Sequence, residues 1–269
     1  LPEKVIIIAG ASGVPGGRGE GGREGPCEDD GKAAGEATMK EPENKKHKIL
    51  NRAWRLFLRQ GFTKTSMRAI AEDAGVSLGL LTYYFTTKDN IALELLEKQI
   101  ADFKAALNRV IDLDEDPVLY SASLVRLNYK VMSMPEFRVF YLDAMRNDLY
   151  FKTIPNRRLF PDRGLESLSR INDKYRLGHS PEYLELFGNY LCVSMERTLV
   201  LYPDILEAMG HLPDLVFRTY MGHLDPHFRD FDAYCQRSEA AVQRVLREHP
   251  EVRTVHDLFD EGPEGSEEG

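Results

Sequence analysis

Cysteine is scarce in this chain: Cys27, Cys192 and Cys235 are the only three in 269 residues. An odd number without a CxxC pair argues against a disulfide framework and a cysteine zinc site, and it fits a reducing cytoplasm. Long apolar runs are lacking too. No stretch reaches the roughly 18 residues that a membrane-crossing helix needs, so no membrane partner is expected. The marks of common catalysts are also absent: there is no GxSxG elbow, no HExxH and no Gly-Lys-Ser/Thr phosphate loop. His223 and His227 stand four apart, but Pro226 between them breaks the helix that would align both rings on a metal. No enzyme activity, cofactor or metal is therefore expected.

What is present suffices for a core, with 42% hydrophobic and 29% charged residues. The net charge of −8 argues against a polyanionic partner until it is divided along the chain. Between Met39 and Asn90 ten Lys/Arg face five Asp/Glu, a basic block inside an acidic protein. Ahead of it, residues 1–43 form a leader rich in glycine and charge that cannot bury enough surface to fold. Its Gly13, Gly17 and Gly19 imitate a dinucleotide loop, but no helical period follows to hold the phosphates. Either Met39 is the expected natural start or the leader is a dispensable extension, which N-terminal sequencing of the native protein would check. The tail, residues 253–269, is acidic and expected to be disordered.

From Asn44 onward the apolar spacing is helical. Ile49, Ala53, Leu56 and Phe57 fall on one face of a first helix, and Gly61 is placed to end it. Thr65 is read as the cap of a short helix that Gly75 stops, and Ser77 as the cap of the next. Thr87 can open a longer helix with Ile91, Leu95 or Leu96, Phe103 and Leu107 inward. The blocks beyond, punctuated by prolines, keep the same period. The fold class is all-α.

Residues 66–85 thus describe a helix-turn-helix, whose last helix has the size to enter a major groove about 12 Å wide. Lys45, Lys46 and Lys48 precede it where a phosphate strand would lie. Ser66 and Arg68 open the first of its helices, where the dipole and unbonded N–H groups favour an anion. Tyr83, Tyr84 and Lys88 close it with a further set suited to phosphate.

The stretch "ILNRAWRLFLRQGFTKTSMRAIAEDAGVSLGLLTYYFTTKDNIALELLE" resembles the DNA-binding domain of the TetR family of transcriptional regulators. The resemblance covers roughly residues 47–97. It implies a homodimer on a double-stranded DNA operator, with a C-terminal helical domain that binds a small-molecule effector, and more often a repressor than an activator. Carried over by position, Thr65, Ser66 and Arg68 would hold phosphates. Ser77, Leu78, Gly79, Leu80, Thr82 and Tyr83 would face the duplex, with Tyr84 and Lys88 on the other strand. Leu78, Leu80 and Thr82 depart from the family pattern. Leucine makes no bidentate bonds to base edges but can touch a thymine methyl, so an AT-containing half-site and reliance on DNA shape are expected.

The domain order read here is therefore 44–90 for the DNA-binding unit and 91–252 for a helical effector and dimerisation domain. Tyr120, Arg126, Tyr129, Met132, Phe140, Tyr141, Met145 and Arg146 are the candidate pocket residues, the arginines serving an anionic effector. Leu184, Phe187, Leu191, Met195, Leu215, Phe217 and Met221, on two segments apolar on more than one face, are the candidate dimer contacts. Two alternatives stand beside this reading. One is an architectural DNA binder with no effector. The other is a small-molecule-binding protein that has lost DNA recognition.

Overall fold

A computed structural model describes residues 32–153, 165–205 and 211–260. The glycine-rich leader through residue 31, with Cys27, and the tail beyond residue 260 lie outside that range. The chain divides into two compact units, Leu1–Met39 and Lys40–Gly269. Of the first unit, the described residues 32–39 are helical. The described residues contain helices and no strands, in line with the all-α reading.

Helix α1 (Lys32–Gln60) begins upstream of the expected Asn44. It ends at Gly61, whose φ of 88° is the left-handed conformation that only glycine adopts without strain. Helices α2 (Met67–Ala74) and α3 (Leu78–Tyr84) follow, then α4 (Lys88–Asn108). Ile49, Ala53 and Phe57 on α1, Ile70, Ala71 and Ala74 on α2, and Leu81 on α3 are all buried in one core.

That core does not stop at the helix-turn-helix. Helices α5 (Pro117–Met132) and α6 (Pro135–Arg146) continue it. Trp54 meets the Phe140 ring edge-on at 5.5 Å, and Phe57 stacks on Phe140 at 5.6 Å. Asp143 accepts a hydrogen bond of 2.7 Å from the Thr63 amide, and Asn147 donates to the Thr63 hydroxyl at 3.0 Å. An added Cβ at Gly61 would lie 2.7 Å from the same Asp143 carboxylate. The helix-turn-helix is thereby seated on α6.

Helices α7 (Leu149–Thr153), α8 (Leu165–Tyr175), α9 (Pro181–Glu185), a π-helical segment Leu186–Leu191, α10 (Cys192–Leu201), α11 (Leu212–Leu224) and α12 (Phe231–Glu248) complete the body. A second core gathers Val118 and Ala122 of α5 with Ile171, Leu184, Leu199, Phe217, Tyr220 and Met221. Helix α5 packs on α4, α8, α11 and α12 and ties the two cores together.

After a 3-10 turn (Pro250–Arg253) the chain returns to α1. The Asp257 carboxylate takes both arms of Arg55, at 2.9 and 2.6 Å. Asn51 donates to the Phe259 carbonyl at 2.8 Å and accepts from the Phe259 amide at 3.1 Å. Leu258 is buried in the first core. The expected disordered tail is therefore ordered as far as Asp260. Its composition is acidic, but Val252 and Leu258 supply apolar anchors and α1 supplies partners some two hundred residues away in sequence.

Candidate nucleic-acid interface

Helix α2 opens at Ser66, whose hydroxyl accepts from the Ala69 amide at 3.1 Å. Thr65, read from sequence as the cap and a phosphate contact, is instead buried. Its hydroxyl donates to the Gly61 carbonyl at 2.8 Å and accepts from Gln60 at 3.1 Å. With the Thr65 hydroxyl so engaged, the cap falls to the serine beside it. Gly75 closes α2 at φ 66°, with its N–H and that of Val76 satisfying the last carbonyls.

Ser77 then caps α3 by accepting from the Leu80 amide at 3.1 Å. Ser77→Ala should lower stability by about 1 kcal/mol, read as a shift of the urea midpoint at constant slope. An unchanged midpoint would show that the cap contributes nothing.

Leu81 and Phe85 point into the core, so the opposite face of α3 is turned to solvent. There Tyr83 is 81% exposed and Leu78 42%, with Gly79 and Thr82 between them. Neither Leu78 nor Leu80 packs into the core. An added Cβ on Gly79 would meet nothing nearer than the Ser77 hydroxyl at 3.9 Å, so the fold itself does not demand glycine there. The Thr82 hydroxyl is 3.0 Å from both the Leu78 and the Gly79 carbonyls, which engages its proton. Tyr83 and Tyr84 meet edge to face at 5.4 Å.

The basic residues divide. Arg68 and Lys45 are exposed and Lys48 is half-buried. Lys46 pairs with Glu94 of α4 and lies over the Phe85 ring at 5.8 Å. Lys88, expected on a phosphate, points inward. Its ammonium donates at 2.7 Å to both the Phe62 and Thr65 carbonyls and sits 4.1 Å from the Phe62 ring centre. Burial lowers its pKa, against the opposing charges of Asp89 and Asp143. Lys88 is thus a bracket between α4 and the α1–α2 loop, because the last carbonyls of that loop lack helical partners and α4 starts beside them. Sequence inspection missed Asp143 and Asn147, which grip Thr63 from α6. Nothing in the sequence links positions eighty residues apart.

Residues 49–95 match the family described as bacterial regulatory proteins, tetR family. The chain carries a TetR-family DNA-binding domain. Over 63 residues it is 36% identical to the HTH-type transcriptional regulator PksA of Bacillus subtilis (strain 168), covering 22% of this chain and 31% of that protein. Over 76 residues it is 34% identical to the HTH-type transcriptional regulator HbdR of Aromatoleum sp. (strain CIB), covering 28% and 33%. The chain spans about a third of the length of these curated relatives. A tetR-family transcriptional regulator of known structure from Streptomyces coelicolor aligns at 20% identity with a TM-score of 0.42, over 78% of this chain and 90% of that one.

Beyond the TetR domain the candidate pocket residues do not converge on one space. Tyr120, Met132, Phe140, Tyr141 and Met145 are buried in the core, Phe140 against α1 itself. Arg126 is buried at the α5–α11–α12 junction among Ser238, Glu239 and Asp214, and Arg146 is exposed. Arg126 is thus engaged by carboxylates of its own chain. The polar centre of the body is Glu196 of α10, which accepts from Tyr141 at 2.5 Å and from Asn128 at 3.4 Å. Burial raises its carboxyl pKa against those two hydrogen bonds, and burial likewise carries the Cys192 thiol up to about 12. Tyr150 closes the group at 6.2 Å from the Tyr141 ring.

Of the candidate dimer contacts, Leu184, Phe217 and Met221 lie inside their own chain and cannot meet a partner. Helix α11 is apolar on several faces because α5, α10 and α12 surround it. Leu191 is exposed, as are Leu186, Tyr190 and Tyr202 nearby, while Phe187, Met195 and Leu215 are half-buried. Among the described residues no helix is long and apolar enough to cross a membrane, and no cluster of side chains suits a metal.

Proposed function

We propose that this protein is a ligand-responsive transcriptional regulator that binds a pseudo-palindromic duplex site as a homodimer and acts as a repressor. The single observation that carries the reading is the outward face of α3. Leu78, Gly79, Thr82 and Tyr83 stand exposed on a helix fixed from behind by Leu81 and Phe85. A two-fold pair of such helices would enter successive major grooves about 34 Å apart. The exposed Leu186, Tyr190, Leu191 and Tyr202 support a self-association surface along the π-helical segment and α10. Glu196, half-buried among tyrosines and without an ion pair among the described residues, supports an effector that offers it a hydrogen-bond donor or a positive charge. This replaces the anionic effector expected from the arginines.

The test is a mobility-shift titration of the full chain on the DNA upstream of its own gene, with and without candidate metabolites. Tyr83→Ala should weaken binding about tenfold, the worth of one hydrogen bond to a charged oxygen, about 1.5 kcal/mol, with thermal stability unchanged. Unaltered affinity in that variant would remove α3 from the duplex. Replacing thymine with uracil in the half-sites should also weaken binding if the leucines touch methyl groups. Binding that no metabolite releases would favour the architectural alternative.

A further inference from the structure

Lys98, Gln99, Asp102, Ala106 and Arg109 recur at helical spacing along one face of α4, and together they line a cavity of about 200 Å³. Glu251, Val252 and His256 of the C-terminal segment form its other wall. Gln99 is 5% exposed, yet its buried Oε1 accepts no hydrogen bond among the described residues. Most buried acceptors find a donor, so this one is left for a group the chain itself does not supply. The volume falls below the roughly 300–1,000 Å³ of sites for drug-sized ligands, which suits a small metabolite. The charges around it balance. Lys98 pairs with Asp102 one turn further on, and Arg109 lies 3.8 Å from Glu251 and 3.1 Å from His249 Nδ1. At 3.8 Å the Arg109–Glu251 contact is too long for a hydrogen bond, so both groups keep bonding positions open. His256 Nδ1 lies 2.8 Å from the Thr254 carbonyl, which places the proton there and leaves Nε2 of the neutral ring as an acceptor. With Lys98 and Arg109 against Asp102 and Glu251, a simple cation or anion would leave one pair unbalanced.

We propose that this cavity binds a small zwitterion, a free amino acid, between α4 and the C-terminal segment. Its ammonium, with three donors, takes Gln99 Oε1, the Asp102 carboxylate and His256 Nε2. Its carboxylate takes the fork of Arg109 and the Lys98 ammonium. Side chains of a helix lean toward its N-terminus, which brings the Arg109 head back toward Asp102. Ala106 and Val252, both buried, offer apolar contact to the carbons of the ligand. Residues 257–260 continue from this wall onto α1, where Asp257 clasps Arg55 and Phe259 exchanges two hydrogen bonds with Asn51. A ligand that ties His256 to α4 therefore also steadies that segment. The site shares no residue with the Glu196 group and needs no duplex, so it goes beyond the function proposed above.

The experiment titrates the full chain with each of the common amino acids, singly, by isothermal calorimetry. At least one should bind with a Kd of about 1 mM or tighter. Its decarboxylated amine and its N-acetyl derivative each lack one charge and should bind at least about tenfold more weakly. Gln99→Leu exchanges the unpaired amide for an apolar side chain of similar size. It should keep the urea midpoint and still weaken binding about tenfold. Arg109→Gln, at an exposed side chain, should weaken binding by a similar factor through the carboxylate end. Hydrogen exchange of residues 250–260 should slow when the amino acid is bound. No binding by any amino acid at about 10 mM would overturn the proposal. So would equal binding of the amine or the N-acetyl form, full affinity in both variants, or unchanged exchange over 250–260. Binding lost in Glu196→Gln but kept in Gln99→Leu would place the ligand elsewhere and overturn it too. If Gln99→Leu does not fold, Arg109→Gln and the exchange measurement decide.

Discussion

Trp54→Ala is expected to lower the unfolding free energy by about 4 kcal/mol. Trp54 is the single tryptophan of the chain and is almost wholly buried. Its ring contacts Phe140 at 5.5 Å and Phe137 at 6.1 Å, both on α6. Alanine would leave a void walled by α1 and α6, and neither wall can close it. Phe140 is already stacked on Phe57, and the α1–α2 loop is held by Asp143. Because the first core runs without a break from α1 to α6, the native protein should unfold in one transition when followed by circular dichroism in urea. In the variant the weakened seat should separate the DNA-binding unit from the body and give two transitions. A loss below about 1.5 kcal/mol with one transition retained would show that Trp54 is not the joint described here.

Arg126→Met should be the second most damaging change, and its cost should depend on pH. The guanidinium is 4% exposed and binds Ser238 at 3.0 Å, Glu239 at 2.9 Å and Asp214, while Lys130 also pairs with Glu239. Breaking a fully buried pair costs about 3–5 kcal/mol. Here Asp214 and Glu239 are 31% and 38% exposed and can regain water, so about 2 kcal/mol is expected at neutral pH. Burial pushes the Glu239 carboxyl up. Hydrogen bonds from Gln243 and Lys130, with the charges of Lys130 and Arg126, outweigh that and hold it at about 2.

A folded pKa below the unfolded value of about 4.3 stabilises the protein above the unfolded value. That stabilisation is lost as pH falls through the folded value. The native urea midpoint should therefore drop between about pH 5 and pH 2. In Arg126→Met the Glu239 pKa rises toward normal, and the drop should be shallower. Parallel pH profiles in the two proteins would show that Arg126 does not hold the Glu239 charge.

The candidate site was legible where each cause lies within a few residues of its effect. Ser77 caps α3 and Gly75 ends α2 because the bonds involved span four residues or fewer. The inward spacing of Leu81 and Phe85 left Leu78, Gly79, Thr82 and Tyr83 outside by helical geometry alone. Lys88 reads as a phosphate contact from its charge, while the two carbonyls that hold it lie more than twenty residues earlier. Thr65 and Ser66 are adjacent possible caps, and only burial of Thr65 decided between them. Phe217 and Met221 showed the same limit, since an apolar helix reads alike whether a second chain or its own neighbours cover it.

The sequence by itself determined the helical period, the caps at Ser77 and Gly75, the all-α class and the resemblance to a TetR head. Periodicity, capping and left-handed glycines are short-range effects written into neighbouring residues. The tertiary structure alone decided that α6 seats the helix-turn-helix, that Arg126 joins helices instead of awaiting a ligand, and that residues 257–260 fold back along α1. Each of these pairs residues from about eighty to two hundred positions apart, and such pairing depends on how the helices pack together, which no local pattern encodes.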